Sequence, residues 1–364
     1  MKVVHVETGR HLYGGALQVR FLLEGLAAVP GDEHVLVCPN GAAIGATVRA
    51  LGLRVIECRL GGDADLGMVA RLKAVLRAER PDLVHLHSRR GADTWGVLAG
   101  RLAGVPTVLS RRVDNPEPRL LAALKYRLPA RVITISEGIR AVLLAEGVPA
   151  HQVVCVPSAV DTVRYHPGGD RPWLARTFGL PPGVRTLGMV AQFIERKGHA
   201  VLLDALPTVF ARHPDLHVLL FGQGPLHGAI AAEVERRGWR GRVQLPGFRD
   251  DLDRVIPALD LLVHPAFMEG LGVALLQAAA CGIAIVAGRA GGIPEIVRDG
   301  ENGLLVTPGD VDGLAGALDA LLGDPARAAA MGAAGRAIVE RHFSIPAMVA
   351  GNRRVYVEVL GARG

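Results

Sequence analysis

Short β-branched and apolar runs alternate with longer stretches of helical periodicity along the whole chain. In the first part the runs fall at residues 3–6, 35–38, 55–58, 83–87, 107–109, 132–135 and 153–156. Helical patterns fill the gaps, at 16–29, 43–51, 66–79, 92–103, 119–127 and 137–146. Several runs are apolar at every position, as strands buried on both faces are. Strands alternating with helices at this spacing predict a doubly wound parallel α/β sheet.

Residues 158–182 break the rhythm with a linker composition, Tyr165-His166-Pro167-Gly168-Gly169-Asp170 and Pro181-Pro182-Gly183. The alternation then restarts, with strands expected at 186–190, 217–221, 243–245, 261–264, 283–287 and 303–306, and a helical tail from 311 to about 360. A length of 364 residues fits two such domains. Two facing α/β domains would put the carboxyl ends of two sheets around one central cleft, where ligands of open sheets bind.

Half of the residues are apolar, enough for a core, which excludes wholesale disorder. The formal charge of +6 favours an anionic partner: a phosphate-bearing ligand, a membrane surface or nucleic acid. The four cysteines lie far apart without a C-x-x-C or Cys/His cluster, so neither a zinc site nor a disulfide framework is expected. The N-terminal apolar run is too short for a signal peptide, and no uncharged run reaches the length of a spanning helix. A soluble, cytoplasmic protein is expected, one that touches a membrane only from the side.

Four stretches invite a chemical reading. Gly14-Gly15 precede a helix, where backbone N–H groups can approach a phosphate; a plain βα turn reads equally well. Gly222-Gln223-Gly224-Pro225-Leu226-His227-Gly228 has one residue too many for a dinucleotide fingerprint, and is read as a tight turn with Pro225 in the first turn of a helix. Glu195-Arg196-Lys197-Gly198-His199 places two cations after a strand, suited to a diphosphate or simply a solvated loop. In the stretch from His264 to Ala278, Glu269 can accept from sugar hydroxyls or serve as a helix-start acid. The N–H groups of Leu271, Gly272 and Val273 can meet phosphate at a helix N-terminus, and Gln277 lies just over one turn further.

In these residues the chain resembles the retaining nucleotide-sugar glycosyltransferases of the GT-B fold, glycosyltransferase family 4. The resemblance runs through Gly14-Gly15, Arg196-Lys197-Gly198, Gly247-Phe248-Arg249-Asp250, the Glu269 stretch, Ala290-Gly291-Gly292-Ile293-Pro294-Glu295 and Asp299-Gly300-Glu301-Asn302-Gly303, in the family's order and spacing. It implies two Rossmann-like domains facing a central cleft. The acceptor-side domain would span 1–168, with a closing helix at about 345–364 that crosses back onto it. The nucleotide-sugar domain would span 169–344.

The resemblance also implies roles. Lys197, with Arg196 beside it, would clamp the diphosphate. Glu269 would be the first glutamate of an E-x7-E motif and hold the donor sugar, with Gly270, Leu271, Gly272 and Val273 next to it. Gly247, Phe248 and Arg249 would border the nucleobase, and Gly14 and Gly15 would close over the donor phosphate. The catalytic set would be Lys197, Glu269 and Arg196, with no catalytic metal and no cofactor beyond the nucleotide-sugar substrate.

Three positions depart from the family: Gln277 replaces the ribose-binding second glutamate, Gln192 an arginine, and Arg112 a histidine beside the transferred sugar. Arg112 stays protonated and cannot act as a base. His87 is the substitute candidate, or else a structural histidine, and His87, Arg111 and Arg112 would line the acceptor side.

The activity so implied is retaining transfer of a sugar from a nucleotide-diphosphate sugar to a glycan or lipid-linked acceptor, in cell-envelope glycan biosynthesis. A nucleotide-sugar epimerase and a non-catalytic nucleotide-sugar binder are the alternatives. Arg89-Arg90, Arg111-Arg112, Arg119, Lys125, Arg127 and Arg131 give the first domain a basic side, which would meet an anionic membrane surface or a phosphorylated acceptor, or be an ordinary solvated face. Nucleic acid is not expected, since no aromatic-interleaved basic patch is present.

Overall fold

The computed structural model describes residues 1–88 and 91–362, apart from the side chains at 120, 121 and 124. The chain divides into two compact units. One comprises Met1–Ala159 together with the chain from Ile345 onward, and the other is Val160–Ser344. The division falls ahead of the expected 168/169 boundary, and the C-terminal helix belongs to the first unit.

The first unit holds β1 (Lys2–Val6), β2 (Glu33–Pro39), β3 (Arg54–Cys58), β4 (Leu83–Leu86), β5 (Thr107–Arg111), β6 (Arg131–Thr134) and β7 (Val153–Cys155). All pairs are parallel, in the order β3-β2-β1-β4-β5-β6-β7. Every residue of β4 and β5 is buried, because helices cover both faces. On one face Met68, Leu72, Leu76 and Val97 pack together. On the other, the helix Gly14–Ala27 and the C-terminal helix Ile345–Gly361 share a cluster that includes Val3, Phe21, Leu22, Met348 and Tyr356. Gly25 makes their approach possible: a Cβ there would sit 2.5 Å from Val349 Cγ2.

The second unit holds β8 (Arg185–Val190), β9 (Leu216–Phe221), β10 (Val243–Gly247), β11 (Leu261–His264), β12 (Ala284–Gly288) and β13 (Gly303–Val306), parallel in the order β10-β9-β8-β11-β12-β13. Its core lies around Leu187, Leu206, Val218, Val263 and Leu318. The expected linker 158–182 contains a helix, Arg171–Phe178. Asp170 caps its start by accepting from Trp173 N–H, Pro172 occupies the first turn, and Gly179 ends it at φ 60°. The residues that read as linker punctuation are the ends of this helix.

In each sheet the strand order reverses once, between β1 and β4 and between β8 and β11. The loops leaving those strand pairs are where an open α/β sheet binds its ligand. Among the described residues no helix is long and apolar enough to cross a membrane.

Candidate functional site

In the second unit the loops after β8 and β11 are joined backbone to backbone. Lys197 ends a tight turn, Glu195–Lys197. Gly198 follows at φ 74°, and a Cβ on it would lie 2.0 Å from the Pro265 carbonyl oxygen. Phe267 N–H donates to the Arg196 carbonyl at 2.9 Å. This contact brings Lys197, 7% exposed, against Glu269: Lys197 Nζ donates to Glu269 Oε2 at 2.5 Å. His264, at the end of β11, donates from Nε2 to the same oxygen at 2.8 Å. Burial alone would raise the Glu269 carboxyl; the His264 hydrogen bond and the charges of His264 and Lys197 outweigh it and hold it at about 2. His199, stacked on Phe193 at 4.7 Å, is pushed down to about 4, chiefly by burial.

Gly291 and Gly292 serve this loop. A Cβ on Gly291 would lie 1.9 Å from the Glu269 carbonyl oxygen, and Gly292 N–H donates to that oxygen at 3.0 Å. Gly222 and Gly224 likewise fit against the segment after β8, where a Cβ on Gly222 would meet the Ala191 carbonyl at 1.9 Å. Pro225 does not enter the first helical turn as expected. The helix is His227–Arg236 with Leu226 at its cap, because Leu226 N–H is held by the Phe193 carbonyl at 3.0 Å.

The helix Val273–Ala280 starts beside Glu269. Gly272 caps it at φ 101° without a side-chain cap, and a Cβ there would be 3.5 Å from Glu269 Cγ. Gly270 is half-buried and Leu271 turns into the core. Gln277 donates from Nε2 to Tyr165 Oη at 2.9 Å. Gln192 and Arg196 are exposed. Gly247 ends β10 at φ 80°, Phe248 is 56% exposed, and Arg249 forks onto Asp251 at 2.8 and 2.5 Å. The structure thus unites Lys197, Glu269 and the start of the 273 helix. His264, which the sequence presents only as a strand end, completes the cluster.

In the first unit a cavity of about 720 Å³ opens at the β1/β4 switch, lined among others by Glu7, Gly15, His87, Ser88 and Arg112. Thr8 N–H donates to Ser88 Oγ at 2.9 Å, tying the two loops together. Glu7 is buried, which raises its carboxyl, while the Gly9 N–H bond at 2.7 Å and the Arg112 charge pull the other way. Arg112 reaches Ser158 Oγ at 3.4 Å, and a Cβ on Gly15 would lie 3.5 Å from its Cδ. Gly14 has φ 36° with open space where a Cβ would stand.

Arg111 corrects an expectation. It is 1% exposed, and its guanidinium donates to Glu117 Oε1 at 2.5 Å, to the Val113 carbonyl at 2.9 Å, and to the Asn115 carbonyl and Tyr126 Oη. It holds the loop after β5 and is not presented to a ligand, because successive residues at the strand end face opposite ways. Arg89 and Arg90 lie outside the described residues.

Behind the cavity His87 joins three buried histidines that sequence reading passed over, His5, His34 and His85. His5 Nδ1 and His87 Nε2 are 2.9 Å apart, and His5 Nε2 and His34 Nδ1 3.1 Å. His85 bridges Tyr356 Oη at 2.6 Å and Ser110 Oγ at 2.8 Å. His5, His85 and His87 each offer a ring nitrogen within 4.8 Å of the others, the one group among the described residues with the spacing to hold a metal ion.

Two sequence families match the chain: "Glycosyl transferase 4-like domain" over residues 14–159 and "Glycosyl transferases group 1" over 184–324. A Corynebacterium glutamicum GDP-mannose-dependent monoacylated alpha-(1-6)-phosphatidylinositol monomannoside mannosyltransferase is 35% identical over 202 residues, 52% of either chain. The matched part spans about half the length of that relative. A Mycobacterium ulcerans D-inositol 3-phosphate glycosyltransferase is 30% identical over 359 residues, 88% of this chain and 73% of that one. Among solved structures, a Rickettsia africae glycosyltransferase superposes with a TM-score of 0.87 at 18% identity, over 99% of this chain and 98% of that one. Anabaena HepE in complex with UDP-glucose gives 0.82 at 21% identity, over the whole of both chains. These likenesses establish the fold, two Rossmann-like halves of the GT-B type.

Proposed function

The chain belongs to the group 1, family 4 glycosyl transferases, and on that premise we propose that it moves a sugar from a nucleotide diphosphate to an acceptor hydroxyl with retention at the anomeric carbon. The observation that carries this reading is the Lys197–Glu269 pair at the switch point of the second sheet. In this proposal the second unit holds the donor. An ammonium has three N–H donors. The Lys197 ammonium gives one to Glu269 and keeps the others for diphosphate oxygens. Arg196 adds its fork from the same turn. The amides at the start of the helix Val273–Ala280, which no side chain caps, face the phosphates. Glu269, ionised at neutral pH, accepts from hydroxyls of the sugar.

As the anomeric C–O bond breaks, negative charge grows on the departing phosphate. Donors already in place stabilise it without reorganisation. The acceptor attacks from the face the phosphate leaves and gives up its proton to it, so no protein nucleophile is used, and Lys197 and Arg196 do the work a metal would do. Gln277 meets the ribose as a neutral partner. The proposed acceptor is a glycolipid or cell-surface polysaccharide precursor, a reading supported by relatives named for phosphatidylinositol mannoside and inositol phosphate. It extends to an anionic lipid surface met by Arg119, Arg127 and Arg131, which liposome co-sedimentation with and without anionic lipid tests.

The test of the main reading begins with a thermal-shift screen of nucleoside diphosphates and nucleotide sugars, where a bound donor raises the midpoint. With that donor, Lys197→Ala and Glu269→Ala should each lower sugar transfer by roughly 100-fold or more. Wild-type rates in both variants overturn the assignment.

A further inference from the structure

The histidines behind the first unit's cavity stand in a row because of strand register. His5 on β1 is the Cα partner of His85 on β4, and Val3, two residues before His5, is the partner of His34 on β2. Alternate residues of a strand share a face, so His34, His5, His85 and His87 all lie on one side of the sheet. His34, His5 and His87 are 2%, 0% and 1% exposed. Burial is the largest influence on all three and lowers their affinity for a second proton, so each is a neutral imidazole at neutral pH.

A neutral imidazole carries one N–H and one lone pair. Two hydrogen bonds, His34–His5 and His5–His87, therefore run in one sense or the other and cannot be mixed. In one sense every ring carries Nδ1–H, and His87 points an N–H away from His5. In the other every ring carries Nε2–H, and His87 Nδ1 is a lone pair. Both ends of the row, His87 Nδ1 and His34 Nε2, are buried and find no partner among the described residues. His87 lines the cavity, and its Nδ1, the nitrogen not engaged with His5, has no hydrogen-bond partner among the described residues.

The Arg112 guanidinium acts on His87, and Asp32 is the strongest charge acting on His34, opposed there by the Met1 ammonium and Arg353. A cation at the His87 end favours the lone pair there.

We propose that His34 and His5 hold His87 as the Nε2–H tautomer, so that its Nδ1 lone pair accepts a hydrogen bond from a hydroxyl of a polyol bound in the first unit's cavity. His87 is then a substrate-touching group, and His5 and His34 are positioning residues. The proposal rests on the reading that the first unit meets the acceptor. The same wall offers Glu7, Thr8 and Ser88 as further partners for hydroxyls. The three-histidine group is read as a hydrogen-bonded network and not as a metal site, because both nitrogens of His85 and of His5 are already engaged.

The test starts with the full chain carrying 15N-labelled histidine. Long-range 1H–15N correlation reads each tautomer directly. Three Nε2–H forms at His34, His5 and His87 are expected; Nδ1–H forms at all three overturn the proposal whether or not the chain transfers sugar. Absence of sugar transfer by the wild type with any acceptor would instead defeat the functional reading alone. His5→Phe, which cuts the row, should change the His87 tautomer signal and raise the KM for acceptor roughly tenfold, the scale on which partners fixing a histidine tautomer act, with the donor KM unchanged. In a His87→Asn background, His5→Phe should no longer affect the acceptor KM. An unchanged acceptor KM in folded His5→Phe overturns the proposal. So does a stoichiometric metal in the purified chain that His85→Leu removes. If His5→Phe does not fold, the wild-type tautomers decide.

Discussion

Glu269→Gln separates charge from shape at the centre of the second unit. The carboxyl sits at about 2 against an ordinary 4.5, and its side chain is 14% exposed, so solvent screens it little. A displacement of that size corresponds to roughly 3 kcal/mol at 1.36 kcal/mol per pH unit. The folded value is depressed, so the contribution is fully present above pH 4.5 and fades as pH falls toward 2. The linkage relation leaves roughly half of it at pH 3. Glutamine keeps the shape and one acceptor but leaves the Lys197 ammonium buried without a counter-charge. In a Trp95→Phe background the tryptophan signal comes from Trp173 and Trp239, both in the second unit. Urea unfolding followed by that signal should show Glu269→Gln weaker by about 3 kcal/mol at pH 7 and by about half as much at pH 3. Equal destabilisation at both pH values would refute the assignment of the low carboxyl value to the folded Lys197–His264 environment.

Gly291→Ala combines a left-handed φ of 51° with a Cβ 1.9 Å from the Glu269 carbonyl, so it should weaken the second unit by about 2–4 kcal/mol and displace the Glu269 loop. An unchanged urea midpoint contradicts this. Gln277→Glu, which restores a carboxylate beside Tyr165, should tighten nucleoside-diphosphate-sugar binding about fivefold through a charged in place of a neutral hydrogen bond. Titration calorimetry showing equal or weaker binding removes Gln277 from the donor site. Tyr356→Phe strips His85 of its 2.6 Å partner and should lower first-unit stability by about 1–2 kcal/mol, read as a lower thermal midpoint.

The alternation of apolar runs with helical stretches already contained the two sheets. Each of the thirteen strands among the described residues overlaps a run visible in the sequence, since a strand buried on both faces has little room for polar residues. The helix Arg171–Phe178 stayed hidden because Asp170, Pro172 and Gly179 mark a helix's ends and a linker with the same residues. Lys197 and Glu269 were legible through their loops, but their ion pair was not. They are 72 positions apart, and only the adjacency of β8 and β11 brings them together. Arg111 and Arg112 looked alike as a basic pair; which one faces the core depends on a strand parity that the end of a run does not reveal. The histidine row is set by the register of three strands drawn from separate parts of the chain.

The helix Ile345–Gly361 has a consequence for synthesis. It closes the side of the first unit around Val3 and Phe21, and its residues bond to partners 271 and 321 positions upstream, Tyr356 to His85 and Arg353 to Asp32. A ribosome therefore delivers all of the second unit before the first can be sealed. The nascent N-terminal half must wait with an apolar face uncovered while its neighbour folds. Folding is thus completed out of the order in which the units are translated, and chaperone demand should peak in that interval.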